Sequence, residues 1–294
     1  RVRSSAASDV YKRQPLTYAM AAPRPPMLTT IHGFSQPAIL GVYYACAQRS
    51  FYCSISDADR DPGLDYVATT YNGIDPAEFT FVPNGGDYLV VLGRIHPEKG
   101  VHLAIEIARK AGMRLKIAAI MHDRDYYHEC VEPHVDGDAV VFLGPVERAA
   151  RNELLGGALA LVHMTTRPER FGLVLVEAMA CGTPELGARM GSIPEIVVDG
   201  TTGFLCDSVA DAVDRVAALH TIDRAACRRH VEATFSLERM IDRYLAAYKI
   251  VLDAQVPPAP TTAQRSAREH DWWDRPMAFT DLPPRPSVPV LQRS

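Results

Sequence analysis

The chain lacks several features that would have fixed its class at once. No apolar run in its 294 residues reaches the roughly 18 that a membrane span requires, so no integral membrane contact is expected. Positive charge is not in excess: 31 Lys and Arg against 35 Asp and Glu leave a formal net charge of −4. A nucleic-acid or polyanion partner would need the opposite balance. Of the six cysteines, Cys46, Cys53, Cys130, Cys181, Cys206 and Cys227, no two form a C-x-x-C pair, and several lie in apolar runs. They read as reduced packing thiols of a cytoplasmic protein, not as a zinc site or a disulfide frame. There is no internal repeat, no P-loop and no Ser-His-Asp pattern. What remains is an ordinary globular composition, with length enough for two domains.

One stretch organises the rest. Residues 158–164 (ALALVHM) read as a buried parallel strand, and 165–171 as a polar connection. From Gly172 the spacing becomes helical: Leu173, Val176 and Ala180, with Leu175 and Met179, recur at three and four residues. Gly182 and then Pro184 end that helix. In an open α/β sheet, ligands sit where strand carboxyl ends meet helix amino ends. The backbone N–H groups of Phe171, Gly172 and Leu173 have no intrahelical partner there, which suits a phosphate. Gly172 lets a ligand approach with no Cβ in the way. Glu169 lies in the loop and Glu177 in the helix, and a carboxylate such as Glu177 can accept both hydrogen bonds of a ribose diol. Either glutamate alone would read as a solvated surface group; the coincidence of strand, glycine, helix and two acids favours a functional site.

The run from Glu169 to Pro184, ERFGLVLVEAMACGTP, resembles the Glu–seven residues–Glu signature of family-4 retaining glycosyltransferases. The resemblance extends, less specifically, from about residue 28 to 252. It implies an α/β GT-B fold, with a doubly wound, parallel-sheet (Rossmann-like) C-terminal domain and a second Rossmann-like domain facing it. It also implies transfer of a hexose, with retention and without a metal, from a nucleotide-diphosphate sugar to an unknown acceptor. No cofactor is expected, and by family frequency the donor is UDP-glucose. Residues 93–100 (GRIHPEKG) resemble the family's phosphate-binding turn, where Arg94 offers a planar fork of donors and Lys99 a point charge. Two fixed cations would stabilise the departing nucleoside diphosphate. For either alone, the competing reading is a surface ion pair with Glu98. His32, in TIHGF, matches the family's first-domain histidine near the transferred sugar. The resemblance thus gives Glu169, His32, Arg94 and Lys99 as catalytic, and Arg94, Lys99, Phe171, Gly172, Leu173 and Glu177 as donor-binding. Glu169 would contact the sugar's hydroxyls and stabilise charge without attacking, and Glu177 would hold the ribose. Glu185 departs from the pattern, following Pro184 where the family has an apolar strand residue.

The domain reading follows from the strand pattern. Residues 1–14 (RVRSSAASDVYKRQ) resemble translated adapter sequence and are set aside as a non-native leader. Short strands at 27–31, 51–55 and 66–70 are too few for a whole domain, so 15–80 is expected to be a remnant of an acceptor-side N-terminal domain. Strands at 88–92, 115–120 and 140–143 alternate with helices at 101–111 and 148–156, followed by a short helix at 193–197, a turn at 199–204 and an amphipathic stretch at 207–219. That alternation predicts a parallel, doubly wound nucleotide-sugar-binding domain over 81–236. A helix over 237–254 would pack back on the first domain, as in the family. Residues 255–294, proline-rich (VPPAP, LPPRPSVPV), read as a disordered tail in which Trp272 and Trp273 are unpacked. Such a chain is expected to bind the donor and to transfer sugar poorly. Three other readings compete. Asp57-Ala-Asp59 and Asp123-Arg-Asp125 match the short metal-binding D-x-D of the other glycosyltransferase fold. The chain could be a noncatalytic sugar-nucleotide-binding fragment. An epimerase or phosphorylase on the same fold would share the phosphate turn.

Overall fold

The computed structural model describes residues 26–33, 37–47 and 50–254; the leader at 1–14 and the tail from 255 lie outside them. In chain order the elements are β1 (Met27–Ile31), α1 (Pro37–Cys46), β2 (Ser50–Ser54) and β3 (Tyr66–Thr69). A second series comprises β4 (Tyr88–Ile95), α2 (Val101–Lys110), β5 (Arg114–Met121), α3 (Arg124–Cys130), β6 (Val140–Phe142) and α4 (Arg148–Gly156). The third comprises β7 (Ala160–His163), α5 (Leu173–Ala180), β8 (Glu185–Ala188), α6 (Ile193–Ile196), β9 (Gly203–Cys206), α7 (Val209–Val216), α8 (Arg224–Thr234) and α9 (Leu237–Asp253). The described residues divide into two compact units, one of 26–33, 37–47, 50–55, 59–70 and 242–254, the other of 56–58 and 71–241.

The first unit is built on a parallel sheet in the order β1-β2-β3. β2 lies at its centre and is buried along its whole length. Period-two alternation sends its side chains to opposite faces. Tyr52 packs with Ile31, Tyr43, Leu64 and Tyr66, and its hydroxyl donates to the Tyr43 carbonyl at 2.7 Å. Phe51 packs with Val67 and with Ala247 and Val251 of α9. Both faces are covered, so SFYCS shows no polar face.

The second unit carries a six-stranded parallel sheet in the order β6-β5-β4-β7-β8-β9. The chain winds outward from β4 to β6, returns beside β4 as β7, and winds outward again to β9. The strand order therefore reverses between β4 and β7, where doubly wound sheets bind ligands. β4 and β5 stay in register from Tyr88↔Arg114 to Ile95↔Met121. β4 and β7 pair only at Leu89↔Ala160 and Val90↔Leu161, and all four residues are fully buried. Beyond those pairs the two strands are no longer joined, which opens a crevice at their carboxyl ends. α5 buries Leu175, Val176, Ala178, Met179 and Ala180; it is apolar nearly all round because the unit surrounds it.

A buried cation ties several segments of this unit together from its far end. Arg224, at the start of α8, is 8% exposed. Its guanidinium donates to the carbonyls of Val82, Ala158 and Gly156 at 2.8, 2.9 and 2.7 Å, and to the Thr183 hydroxyl at 2.9 Å. The Gly156 carbonyl is the last of α4, where the helix dipole is negative. Carbonyl dipoles thus stabilise a buried charge.

Two expectations change on the fold. The turn expected at 199–204 includes the start of β9, which pairs in parallel with β8 from Glu185↔Gly203 to Ala188↔Cys206. The second D-x-D match is a helix cap: Asp123 precedes α3 and accepts from the Tyr126 N–H at 3.0 Å.

The departure at Glu185 has a structural cost. Its side chain is fully buried in β8, and neither carboxyl oxygen has a hydrogen-bond partner among the described residues. Burial pushes its pKa well above the ordinary value. In the unfolded chain a glutamate titrates near ~4.3. Below that pH both states hold the proton; above it, folding must take one up, so stability falls as pH rises. Glu185→Leu, close in volume and with no polar group to satisfy, is expected to stabilise the protein by about 1–3 kcal/mol. The gain should be larger at about pH 8 than at about pH 4. Urea unfolding across that range measures it, and a gain independent of pH would contradict the protonated state.

Candidate active site

The reversal point brings together residues from two loops. After Arg94 and Ile95 the chain leaves β4, turns through Pro97, Glu98 and Lys99, and enters α2. After His163 it leaves β7 and runs to α5 through Thr165, Arg167, Pro168, Glu169 and Arg170. The loops hold each other. The Thr166 N–H donates to the Glu98 carbonyl at 3.0 Å, its hydroxyl donates to the Pro97 carbonyl at 3.2 Å, and the Arg167 guanidinium pairs with the Glu98 carboxylate at 3.3 Å. A cavity of about 260 Å³ lies between them, with Arg94, Lys99, Thr165, Glu169 and Arg170 on its wall.

Glu169 is the electrostatic centre. Its side chain is 12% exposed. Oε2 accepts from Lys99 Nζ at 2.5 Å and meets His163 Nε2 at 2.8 Å, while Oε1 accepts from the Arg170 N–H at 3.2 Å. Burial pushes its carboxyl pKa up. The hydrogen bond and charge of His163, and then those of Lys99, outweigh burial and hold it well below the usual carboxylate range. Lys99 therefore pairs with Glu169 across the crevice, and the surface pairing with Glu98 is not what forms.

The α5 end of the site is less polar than its sequence pattern implies. Gly172 is the N-cap at φ 79°, a left-handed conformation that favours glycine, and no side chain caps the helix. In that first turn the Leu175 N–H already donates to the Gly172 carbonyl at 3.0 Å, so the N–H groups before it are those a ligand could take. Phe171 is a core residue, its ring packed on Tyr71 and Phe235 with centroids 6.0 Å from each; only its backbone suits a ligand. Leu173 is exposed. Glu177, 16% exposed, pairs with Arg151 of α4 at 3.3 Å; burial raises its carboxyl pKa, opposed by Arg151 and Arg148. Of the expected site residues, Arg94, Lys99 and Glu169 line the cavity, whereas Phe171, Gly172, Leu173 and Glu177 are not among its lining residues. His32 follows β1 in the first unit and is exposed.

Three contributors were not anticipated. His163 lies within the apolar run 158–164, and nothing in that run marks it as the strand's last residue, facing the loop. Gly191 has φ 60°, and a Cβ there would sit 2.4 Å from both the nitrogen and the oxygen of Glu169. The neighbouring Ser192 N–H donates to the Glu169 carbonyl at 2.9 Å. Glu195 accepts from the N–H groups of Asp57 and Ala58 at 2.8 and 2.7 Å, and from the Tyr71 hydroxyl at 3.0 Å. Much of the first D-x-D match is therefore held through its backbone. Among the described residues, no group of three or more His, Cys, Asp or Glu could hold a metal ion.

Parallel α/β units with a cation-lined crevice at the strand-order reversal define a GT-B fold. Residues 77–233, just over half of the chain, match the family described as glycosyl transferases group 1, and the chain belongs to that family. It is similar to the D-inositol 3-phosphate glycosyltransferase of Mycolicibacterium smegmatis, 31% identical over 234 residues that make up 73% of this chain and 54% of that protein. It is also similar to the glycogen synthase of Mycobacterium tuberculosis, 33% identical over 197 residues, 62% of this chain and 47% of that one. The chain thus spans about half the length of the curated relatives it matches. Its fold is similar to that of Anabaena Alr3699/HepE, crystallised with UDP and glucose, with a TM-score of 0.67 at 20% identity over 81% of this chain and 76% of that one. AviGT4, a glycosyltransferase involved in avilamycin A biosynthesis, gives 0.57 at 25% identity over 68% and 63%. No helix among the described residues is long and apolar enough to cross a membrane.

Gly191→Ala should strain the Glu169 loop. Backbone strain of this kind costs about 1–3 kcal/mol, so thermal unfolding should show a clearly lowered Tm. An unchanged Tm would mean that the 191 turn moves aside freely.

Proposed function

We propose that this chain is the donor-binding part of a retaining, metal-independent glycosyltransferase of the family-4 kind, which takes a hexose from a nucleotide-diphosphate sugar. The observation that carries this reading is the pair of cations, Arg94 and Lys99, on the wall of the cavity at the strand-order reversal. A diphosphate there would meet a planar guanidinium and an ammonium. As the sugar–phosphate bond breaks, both would face the growing negative charge, the role a metal plays elsewhere. Glu169 suits positioning better than attack, because both of its oxygens already accept hydrogen bonds. Backbone N–H groups around Gly172 would take phosphate oxygens, and Glu177 the ribose diol. His32 would act beside the transferred sugar. Family frequency and the UDP and glucose held by the Anabaena protein favour UDP-glucose as donor; the acceptor has no candidate. The protein would work in the cytoplasm.

A noncatalytic sugar-nucleotide-binding role is the second reading, since the cavity and its cations belong to the second unit alone. Calorimetric titration with UDP, GDP, ADP and their sugars, paired with donor turnover on an acceptor panel, separates the two. Binding without turnover selects the second, and no binding at all overturns both.

Two substitutions probe the roles. Glu177→Ala should weaken nucleotide binding by about tenfold to a hundredfold, the worth of a charged hydrogen bond at ~1.5–3 kcal/mol; unchanged affinity would remove the ribose role. Replacing Arg94 and Lys99 together should abolish the preference for UDP over uridine, and EDTA should leave parental activity intact. Strict dependence on manganese or magnesium would instead favour a metal at Asp57 and Asp59.

A further inference from the structure

Glu169 is held from two sides by partners that differ in what else they can reach. Lys99 comes from the turn after β4 and lines the cavity. An ammonium carries three donors and follows the strongest negative charge offered, so a diphosphate entering the cavity competes with Glu169 for it. His163 comes from the last residue of β7, is 5% exposed and is not among the cavity's lining residues. Its Nε2 meets the same carboxylate oxygen, 2.8 Å away, from the buried side. A carboxylate this buried that lost Lys99 and had no second donor would be driven toward its neutral form and freed to turn.

We propose that His163 is a positioning residue for the transfer reaction: it keeps hold of Glu169 while the donor's diphosphate draws Lys99 away, so that Glu169 stays aimed into the cavity as Lys99 exchanges a carboxylate for phosphate. This rests on the nucleotide-sugar reading above. The carboxylate occupies Lys99 until donor charge arrives, and His163 makes that exchange possible without loss of Glu169. The charged groups around Glu169 are Arg94 and Lys99 from the β4 side, Glu98 on the same turn, His163 from β7, and Arg167 and Arg170 on its own loop. Among the described residues, Lys99 and His163 are the two whose side-chain nitrogens reach its carboxylate. Burial raises the Glu169 carboxyl pKa; His163 and Lys99 lower it further than burial raises it. Removing His163 therefore moves its protonation to higher pH, and any activity that needs the carboxylate has its acid limb shifted correspondingly upward.

The test uses the full chain with carbon-13-labelled glutamate carboxyls, titrated by NMR without ligand. The Glu169 signal is identified by its loss in Glu169→Gln. In His163→Leu the Glu169 carboxyl should protonate at clearly higher pH. In His163→Gln, whose amide N–H can still donate, it should move part of the way back. With UDP-glucose as donor, His163→Leu should lower kcat by about tenfold, the size of one charged hydrogen bond, with UDP affinity unchanged and the acid limb shifted upward; His163→Gln should recover much of the rate. An unmoved Glu169 titration in both variants overturns the proposal, as does a loss of UDP affinity that matches the loss in kcat. A parent chain that binds UDP but transfers no sugar selects the noncatalytic reading of the chain, and the carboxyl titration then decides whether His163 holds Glu169.

Discussion

Two register pairs are all that join β4 to β7, and the second unit is arranged around the gap that follows. Parallel strands buried on both faces need helices above and below, and α2 and α5 leave β4 and β7 for different parts of the unit. At their carboxyl ends the ladder cannot continue. The loops supply the missing partners themselves, with Thr166 bonded to Glu98 and Pro97 where a further strand pair would otherwise stand. The crevice is thus a continuation of the sheet's hydrogen bonding by side chains and turns. The candidate site lies there, where the backbone runs out of regular partners.

The charges at that crevice run against the chain as a whole. Over all residues acids outnumber bases, yet the cavity wall carries Arg94, Lys99, Arg167 and Arg170 against Glu98 and Glu169. A local positive field in an acidic protein draws a small anion to one place. The internal pairs, Lys99 with Glu169 and Arg167 with Glu98, keep part of that field satisfied in the free protein.

Legibility in the sequence followed the physics of each element. The doubly wound sheet could be read because its inner strands are short apolar runs between glycines, and α5 because its apolar residues recur at three- and four-residue spacing. α8 was harder to see: RAACRRHVEAT buries only Arg224, Cys227 and Val231, and one of its anchors is a charge that reads as solvent-facing. Glu185 hid β8 in the same way. At the site, Arg94, Lys99 and Glu169 share a cavity as their motifs implied. His163 was absorbed into its strand, because a histidine in an apolar run carries no sign of which loop it will face. Gly191 lies 22 residues beyond Glu169, and only the folded chain puts their backbones in contact. Local pattern records propensity and burial, whereas partners far apart in sequence are fixed by topology.

Arg224 also bears on how the chain reaches this structure during synthesis. The carbonyls of Val82, Gly156 and Ala158 end in the interior and receive their donors from a residue made well after them. A ribosome releases the chain amino end first. With β4 to β9 already outside the exit tunnel, those carbonyls would still lack the donors that Arg224 brings. The second unit therefore gains this buried hub only when α8 emerges, and a nascent chain stalled before residue 224 would hold the three carbonyls without it.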